Sequence, residues 1–535
     1  MRKRKPLTTM LAAAVLCLPA VGMSAGTAAA EPAVPSGGQH GFDKVIPAPV
    51  EAEPDPKEKF WLSPFTFIRT QPGSAEAKQV GKYLAEQLRP ATGYPLPVVS
   101  TRHSFLPNIS LSLGKADERV GEQGYQLDVT RKGVRIRANT GDGLFAGVQT
   151  LRQLLPAQIE ANEPQRRIWT VPGGSILDYP RFGYRGAMLD LARHFHDVDE
   201  VKAYIDEIAA YKVNYLHLHL TDDQGWRIQI DSWPELTTVG GGPGTGVDGE
   251  GGGYLTKAEY AELNRYAAAR HVTIVPEIDM PGHTNAALST YAELNCDGVA
   301  PPPRTDIEVG YSSLCIDKEI TYEFVEDVIR EVAAMTPGPY LHIGGDEAHA
   351  TTDEEYRTFM DRVLPMVGKY GKRISGWDEI AQVDPPTSAV PQFWDTDGED
   401  ADVAEAAARG NKILLSPATK AYLDMKYDEN TELGLSWAGF TEVDDAYDWD
   451  PGTHIKDVPE SAVLGVEAPL WSETLRTLDD IEFMAFPRLP AIAENGWSPR
   501  ATHDWESFRE RLAAHGPRWE LRGVNFYRSP LVPWK

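Results

Sequence analysis

Positive charge is scarce in this 535-residue chain: 52 Lys and Arg stand against 78 Asp and Glu, a formal net charge of −26. Such a chain has no electrostatic footprint for nucleic acid, and anionic membranes would repel it. Long apolar runs are missing too. The stretch Leu11 to Val21 is short and interrupted by Pro19, which excludes a membrane span there. No nucleotide loop is legible either: the glycine-rich segment Gly240–Gly253 lacks the G-x-x-x-x-G-K-[ST] pattern, and no clear strand leads into it. It reads instead as a mobile loop. Cysteine is nearly absent, with only Cys17, Cys296 and Cys315.

What is present suits folded, secreted domains. Hydrophobic residues make up 42% and charged residues 24%, enough for ordinary cores and against global disorder. Arg2, Lys3, Arg4 and Lys5 precede the apolar stretch, and Ala28-Ala29-Ala30 precede Glu31. That is the layout of a secretory signal over residues 1–30, cut after Ala30. Bulky Leu16 before Cys17 disfavours a lipoprotein. The expected product is a soluble, extracellular protein acting as a monomer. Export leaves Cys296 and Cys315, 19 positions apart, which most simply form one disulfide. Closing that loop would contribute about 3 kcal/mol on a chain-entropy account; two buried free thiols are the other reading.

Residues 31–56, rich in Pro, Ala, Gly and acid, read as a flexible lead-in. Residues 57–174 mix strands and helices. Ser74 is placed to cap a helix through Val80, Leu84 and Leu88, a second helix fits Leu144–Leu155, and strands are expected at Asn108–Leu113, Tyr125–Val129 and Val134–Ala138. This small α+β domain ends at Val171-Pro172-Gly173-Gly174, read as a linker. From residue 175 to 535 the rhythm changes. Strands are expected at Tyr184–Asp190, Leu216–Thr221, Val272–Asp279, Leu341–Gly345, Arg373–Trp377, Val390–Trp394, Lys412–Ser416 and Val463–Leu470. Helices fit Asp199–Tyr211, Lys257–Arg270, Tyr322–Ala334, Glu354–Tyr370, Ala401–Ala408 and Asp479–Glu494. Eight alternations predict an α/β fold, a (β/α)8 barrel, over an open doubly wound sheet.

A barrel of this kind places its active site where the strands finish. Those ends carry Arg193 and His194, Asp222 and Asp223, Asp279 and His283, Asp346 and Glu347, Trp377 with Asp378, Trp394, Tyr422 with Asp424, and Trp471 with Glu473. One such residue means little, since an Asp after a strand usually caps a helix; convergence from every strand carries the argument. Two chemistries fit. Carboxylates, aromatic walls and an Arg suit acid-assisted cleavage of a glycosidic bond. Alternatively, His217 and His219 share a strand face and, with Asp222, Asp279 or His283, offer a metal site; their bland reading is hydrogen bonding inside the barrel.

The run His342-Ile343-Gly344-Gly345-Asp346-Glu347 resembles the signature of family 20 glycoside hydrolases, the β-N-acetylhexosaminidases. Three further blocks share the resemblance: Arg185-Gly186-x-x-Leu189-Asp190-x-x-Arg193-His194, His217 to Gln224, and Glu277 to His283. It covers the chain from about Tyr179 onward, and the preceding α+β domain fits the family's accessory domain. That family departs from the two-carboxylate scheme. Neighbours on a strand face opposite ways, so Asp346 and Glu347 can both turn inward only where strand gives way to loop.

The resemblance implies a substrate-assisted mechanism in which the 2-acetamido oxygen attacks C1 to form an oxazolinium-like intermediate, without any cofactor or metal. Glu347 would be the general acid and then the base. A neighbouring carboxylate and burial both favour its protonated form. Asp346 would accept the acetamido N–H and Tyr422 would donate to the acetamido oxygen. Trp377, Trp394 and Trp471 would wall the acetyl group. Arg193 would bind the 3- and 4-hydroxyls, and Asp424 and Glu473 the 4- and 6-hydroxyls. Asp222 and His283 would tune Glu347, Asp279 would support them, and Trp437 would stack on the next sugar. The implied substrates are oligosaccharides ending in N-acetylhexosamine. An endo-acting chitinolytic enzyme, a metal-dependent hydrolase and an inactive sugar-binding protein stay open as alternatives.

Overall fold

The computed structural model describes residues 41–102, 107–250 and 252–534. The expected leader lies outside them. Seven strands form the first sheet: β1 (Glu51–Leu62), β2 (Phe67–Thr70), β3 (Val98–Ser100), β4 (Asn108–Leu113), β5 (Tyr125–Thr130), β6 (Gly133–Ala138) and β7 (Trp169–Asp178), in spatial order β1-β7-β5-β6-β4-β2-β3. Helices Ala75–Thr92 and Gly141–Leu154 pack their apolar faces on it. Ser74 does cap the first of these, accepting the Ala77 N–H.

Two sequence expectations fail here. The segment read as a flexible lead-in contains a 3-10 turn, Gly41–Lys44, and the first half of β1, and Phe42, Val45 and Ile46 are buried. Its polar composition misled because β1 is an edge strand: one side pairs with β7 and most of its side chains face solvent. The segment read as a linker, Val171–Gly174, lies inside β7. Pro172 is tolerated there because β5 pairs with β7 only from Gly174 onward. The domain boundary therefore moves past Asp178.

Eight parallel strands then close into a barrel: β8 (Tyr184–Asp190), β9 (Tyr215–His219), β10 (Thr273–Glu277), β11 (Tyr340–His342), β12 (Arg373–Trp377), β13 (Val390–Phe393), β14 (Ile413–Leu415) and β15 (Val463–Ala468), with β15 returning to β8. The (β/α)8 expectation holds, with strand starts within a residue or so. β8 is buried at every position, as expected where helices cover one face and barrel side chains the other. The final helix expected at Asp479–Glu494 is two, Leu478–Ala485 and Arg488–Trp497. Pro487 has no N–H with which to continue the first.

Two further helices, Trp505–Ala513 and Gly516–Arg522, escaped the sequence reading. They clamp the two domains together. Arg511 pairs with Glu494 at 2.6 Å and donates to the Val45 carbonyl, while Arg518 donates to the Gln153 carbonyl at 2.7 Å. Asp178, at the end of β7, accepts from Lys212 and from the Trp497 indole, both at 2.9 Å. The first domain thus braces the barrel from one side, and the strand ends are left to the loops.

Candidate active site

The turn after β11 builds the centre. Past His342 the chain runs through Gly344 (φ 66°) and Gly345 (φ 101°) and reaches Glu347 at φ 45°. Asp279, just beyond β10, accepts the Gly345 N–H at 3.1 Å. A Cβ at Gly344 would lie 1.7 Å from the Asp279 carboxylate, so only glycine fits. The strand alternation is broken at that point, and Asp346 and Glu347 follow on one turn. Glu347 is an ordinary L-residue in left-handed backbone, which costs on the order of 1 kcal/mol or more; its N–H is held by Glu379 Oε1 at 3.3 Å.

Asp346 is buried, and its Oδ1 has no hydrogen-bond partner among the described residues. Burial first, then the charges of Glu379, Glu277 and Glu347, push its pKa up to about 7 against the pull of His283. Glu347 is more open, with a quarter of its side chain (27%) accessible. His283 links the pair to the barrel interior. Its Nε2 lies 3.5 Å from Asp346 Oδ2 and 3.4 Å from Glu347 Oε2, and its Nδ1 lies 3.1 Å from Asp222 Oδ1. Burial disfavours the imidazolium, but Asp222, Asp346 and Asp279 outweigh it and raise the pKa well above the usual range.

A buried chain of alternating acids and histidines continues inward. Asp222 Oδ2 meets His219 Nε2 at 2.7 Å and Arg193 Nη2 at 2.8 Å. His219 Nδ1 lies 2.5 Å from Glu277, which also meets His217 and His342, each at 3.0 Å. Register explains the gathering, since Glu277 is paired directly with His219 on one side and His342 on the other. His217 Nδ1 then reaches Glu467 at 2.9 Å. The nitrogens of His217 and His219 are thus met by carboxylates. His219 is hydrogen-bonded at both nitrogens and His217 at Nδ1, while Glu277 with His217 and His342, and with His219 and Asp279, also brings potential ligand atoms within 4.8 Å of one another.

Aromatic side chains enclose the other side. Trp377, Tyr422 and Trp471 share a buried cluster, with half-buried Trp394 packed against it. Trp377 and Trp471 have ring centroids 5.7 Å apart, and Trp437, 52% exposed, stands edge-on to Trp394 (5.8 Å) and Tyr422 (5.9 Å). Burial, then Asp424 and Asp346, hold the Tyr422 phenol well above its ordinary pKa, so it remains a donor. Both oxygens of buried Asp424 lack hydrogen-bond partners among the described residues. Burial and the Glu473 charge raise Asp424 far above the carboxylate range. Arg193 lies over Trp471 at 4.9 Å. Asp223 turns away, accepting from Ser312 at 2.5 Å and from the Asn285 N–H at 2.9 Å. His194 lies against the Ser472 carbonyl, 2.5 Å from Nδ1.

With this geometry in place, comparison with known families is direct. The profile of glycosyl hydrolase family 20, catalytic domain, matches residues 182–355 and 350–500, and that of family 20, domain 2, matches residues 43–179. The chain belongs to glycosyl hydrolase family 20. A β-N-acetylhexosaminidase of Cellulomonas fimi is 41% identical over 490 residues, covering 92% of this chain and 97% of its own. The structure of the family 20 β-N-acetylhexosaminidase from Streptomyces coelicolor A3(2) is 55% identical, with a TM-score of 0.89 over 92% of this chain and 99% of that one. The Streptomyces plicatus enzyme in complex with Thio-NAglucal gives 55% and 0.88, over 92% and 98%.

For this family 20 hydrolase, the contacts above join Arg193, Asp222, Asp279, His283, Asp346 and Glu347 beside the aromatic wall, whereas Asp223 turns to Ser312 and His194 to the Ser472 carbonyl. Those the sequence reading left without a role are the deeper partners: Glu277, Glu467, Gln224, which accepts from Arg193 Nε at 3.1 Å, and Glu379. Glu277 and Gln224 stood inside blocks already noted. Glu379 had one available signal, its place two residues after Trp377.

The Gly240–Gly253 stretch also gains a function in the fold. Gly246 and Val247 donate to the Gln224 and Arg193 carbonyls at 2.7 and 2.8 Å, and Arg476, three residues past Glu473, pairs with Asp248 and Glu250. Cys296 and Cys315 are bonded, with Cα atoms 4.9 Å apart, in the long connection after β10.

Proposed function

We propose that this enzyme is an exo-acting β-N-acetylhexosaminidase that removes terminal β-linked N-acetylglucosamine and N-acetylgalactosamine with net retention, the substrate's own acetamide serving as nucleophile. The observation that carries the reading is Asp346 beside Glu347 on one turn, with a buried Asp346 oxygen left without a hydrogen-bond partner among the described residues. Neighbours on one turn reach the sugar from the same side. One meets the glycosidic oxygen and the other the 2-acetamido N–H, which leaves C1 to the amide oxygen. Such intramolecular attack has a very large effective concentration.

In this reading Glu347 delivers its proton to the leaving oxygen as the C1–O bond breaks, then takes one from the water that opens the oxazolinium ring. Asp346 holds the N–H and offsets the positive charge growing on nitrogen, inside a site where water cannot screen it. Tyr422 donates to the acetamido oxygen between the Trp377, Trp394 and Trp471 walls. Arg193, Asp424 and Glu473 bind the ring hydroxyls, and His283, held by Asp222, stands against the Glu347 carboxyl. A Vibrio harveyi relative, 28% identical with a TM-score of 0.78 over 94% of this chain and 80% of that one, is described as an exo β-N-acetylglucosaminidase in complex with N-acetylglucosamine, which supports end-on cleavage over the endo-acting alternative. The basic–apolar–small-residue leader and the cystine support an exported enzyme, and light scattering is the test of the monomer expected.

Paired aryl β-glycosides with and without the 2-acetamido group test the mechanism. The acetamido sugar is expected to turn over with a β-anomer as first product by NMR, and the 2-hydroxy sugar to be inert. First-formed α-anomer would remove the neighbouring-group route. A thiazoline analogue of the cyclic intermediate is expected to bind at least about a hundredfold more tightly than the free sugar.

A further inference from the structure

Glu379 is the second residue of the short helical turn Asp378–Val383 that follows β12. Its two carboxylate oxygens are divided between two parts of the site. Oε1 accepts the backbone N–H of Glu347 at 3.3 Å, and Oε2 accepts the indole N–H of Trp394 at 3.2 Å. The neighbouring Asp378 accepts the backbone N–H of the same Trp394 at 3.1 Å, so that residue is held at both ends. On the other side, Tyr356 donates to the Gly345 carbonyl at 2.8 Å and fixes the turn before Asp346. The tie matters because Glu347 sits at φ 45°, a conformation an L-residue keeps only when its surroundings enforce it.

We propose that Glu379 is a positioning residue for the acid step: by joining the Glu347 amide to the Trp394 indole, it sets where the Glu347 carboxyl stands relative to the glycosidic oxygen. It acts without touching the sugar. The step it serves moves one proton from Glu347 to the departing oxygen while the C1–O bond breaks and the acetamido oxygen bonds to C1. The inference rests on the reading above. Burial raises Glu379 itself, and burial together with the Glu379 charge holds Asp378 far above the ordinary carboxylate range. A proton kept on Asp378 leaves Glu379 the anion of the two, which strengthens both of the bonds it accepts.

A leaving-group series separates positioning from mere structure. A 2,4-dinitrophenolate departs without a proton, whereas a second sugar needs one. Wild-type turnover of both N-acetylglucosaminides comes first; if it is absent, the functional reading has failed, independently of Glu379. Glu379→Ala is then expected to lower kcat by about a hundredfold on the disaccharide and by less than about threefold on the dinitrophenyl glycoside. Glu379→Gln keeps one carbonyl acceptor, so it is expected to show the same split at smaller size, and it carries the test if the alanine variant does not fold. Equal losses across the series, or no loss in either variant, would overturn the proposal.

Discussion

His283 stands with one ring nitrogen 3.4 Å from Glu347 and the other 3.1 Å from Asp222, joining the partly buried acid to a charge chain that runs to the far side of the barrel. The imidazole is placed to feel every change in charge on either side of it. His283→Asn is expected to lower kcat on unactivated glycosides by about tenfold or more and to displace the pH–rate profile. The stability sign follows from the raised pKa. The imidazolium's contribution is fully present below the unfolded value near 6.5 and is lost as pH rises through the higher folded value. Comparing Tm against pH for wild type and variant measures it: the deficit of the variant should shrink toward alkaline pH.

Above about pH 7, where Asp346 is ionised, Asp346→Asn removes the anion that offsets the oxazolinium charge. Turnover of N-acetylated aryl glycosides is expected to fall by about 10²–10³-fold. The folded protein should nevertheless gain stability. With its pKa raised from 3.8 to about 7, Asp346 keeps a proton in the native state that the unfolded chain has released, so the fold weakens as pH rises across that window. The variant is expected to melt above wild type at about pH 8, with the gain vanishing below about pH 4. A lower Tm at both values would contradict the stated burial cost.

Trp437 is half exposed and edge-on to two walls of the pocket. Trp437→Ala is expected to raise KM for chitin oligomers by about tenfold, the equivalent of about 1.4 kcal/mol of stacking, while methyl glycosides change little. An equal effect on both would place it in the terminal-sugar site instead.

The bond between Cys296 and Cys315 closes a loop beside the Asp223–Ser312 contact. Reduction, or the double Cys→Ser variant, is expected to cost about 3 kcal/mol of local stability, seen as faster hydrogen exchange across residues 297–314. Because no atom of the cystine is placed in the chemistry, kcat on an aryl glycoside should stay within about twofold of wild type.

How much of this was legible beforehand depends on the range of the physics involved. Val390–Phe393 and Tyr184–Asp190 were readable because strands covered on both faces are mainly apolar, and the polar residues at and just past their ends mark the mouth. β1 was not, because an edge strand needs only a partner's backbone, and its own side chains carry no sign of one. Asp346 and Glu347 announced themselves as an adjacent pair. Glu379 did not, since its value lies in what its two oxygens meet on other strands.

By itself the sequence determined the alternation of strand and helix, the acidic surface and the kinds of side chain that reach the strand ends. These are local matters of periodicity, turn chemistry and residue type. Only the closed barrel decided that Glu277 would face three histidines, that Asp346 would lose water and rise to about 7, and that a left-handed Glu347 would be tied to Trp394. Those properties belong to distances between residues far apart in the chain, and burial sets their strength. Neither exists until the strands have come together.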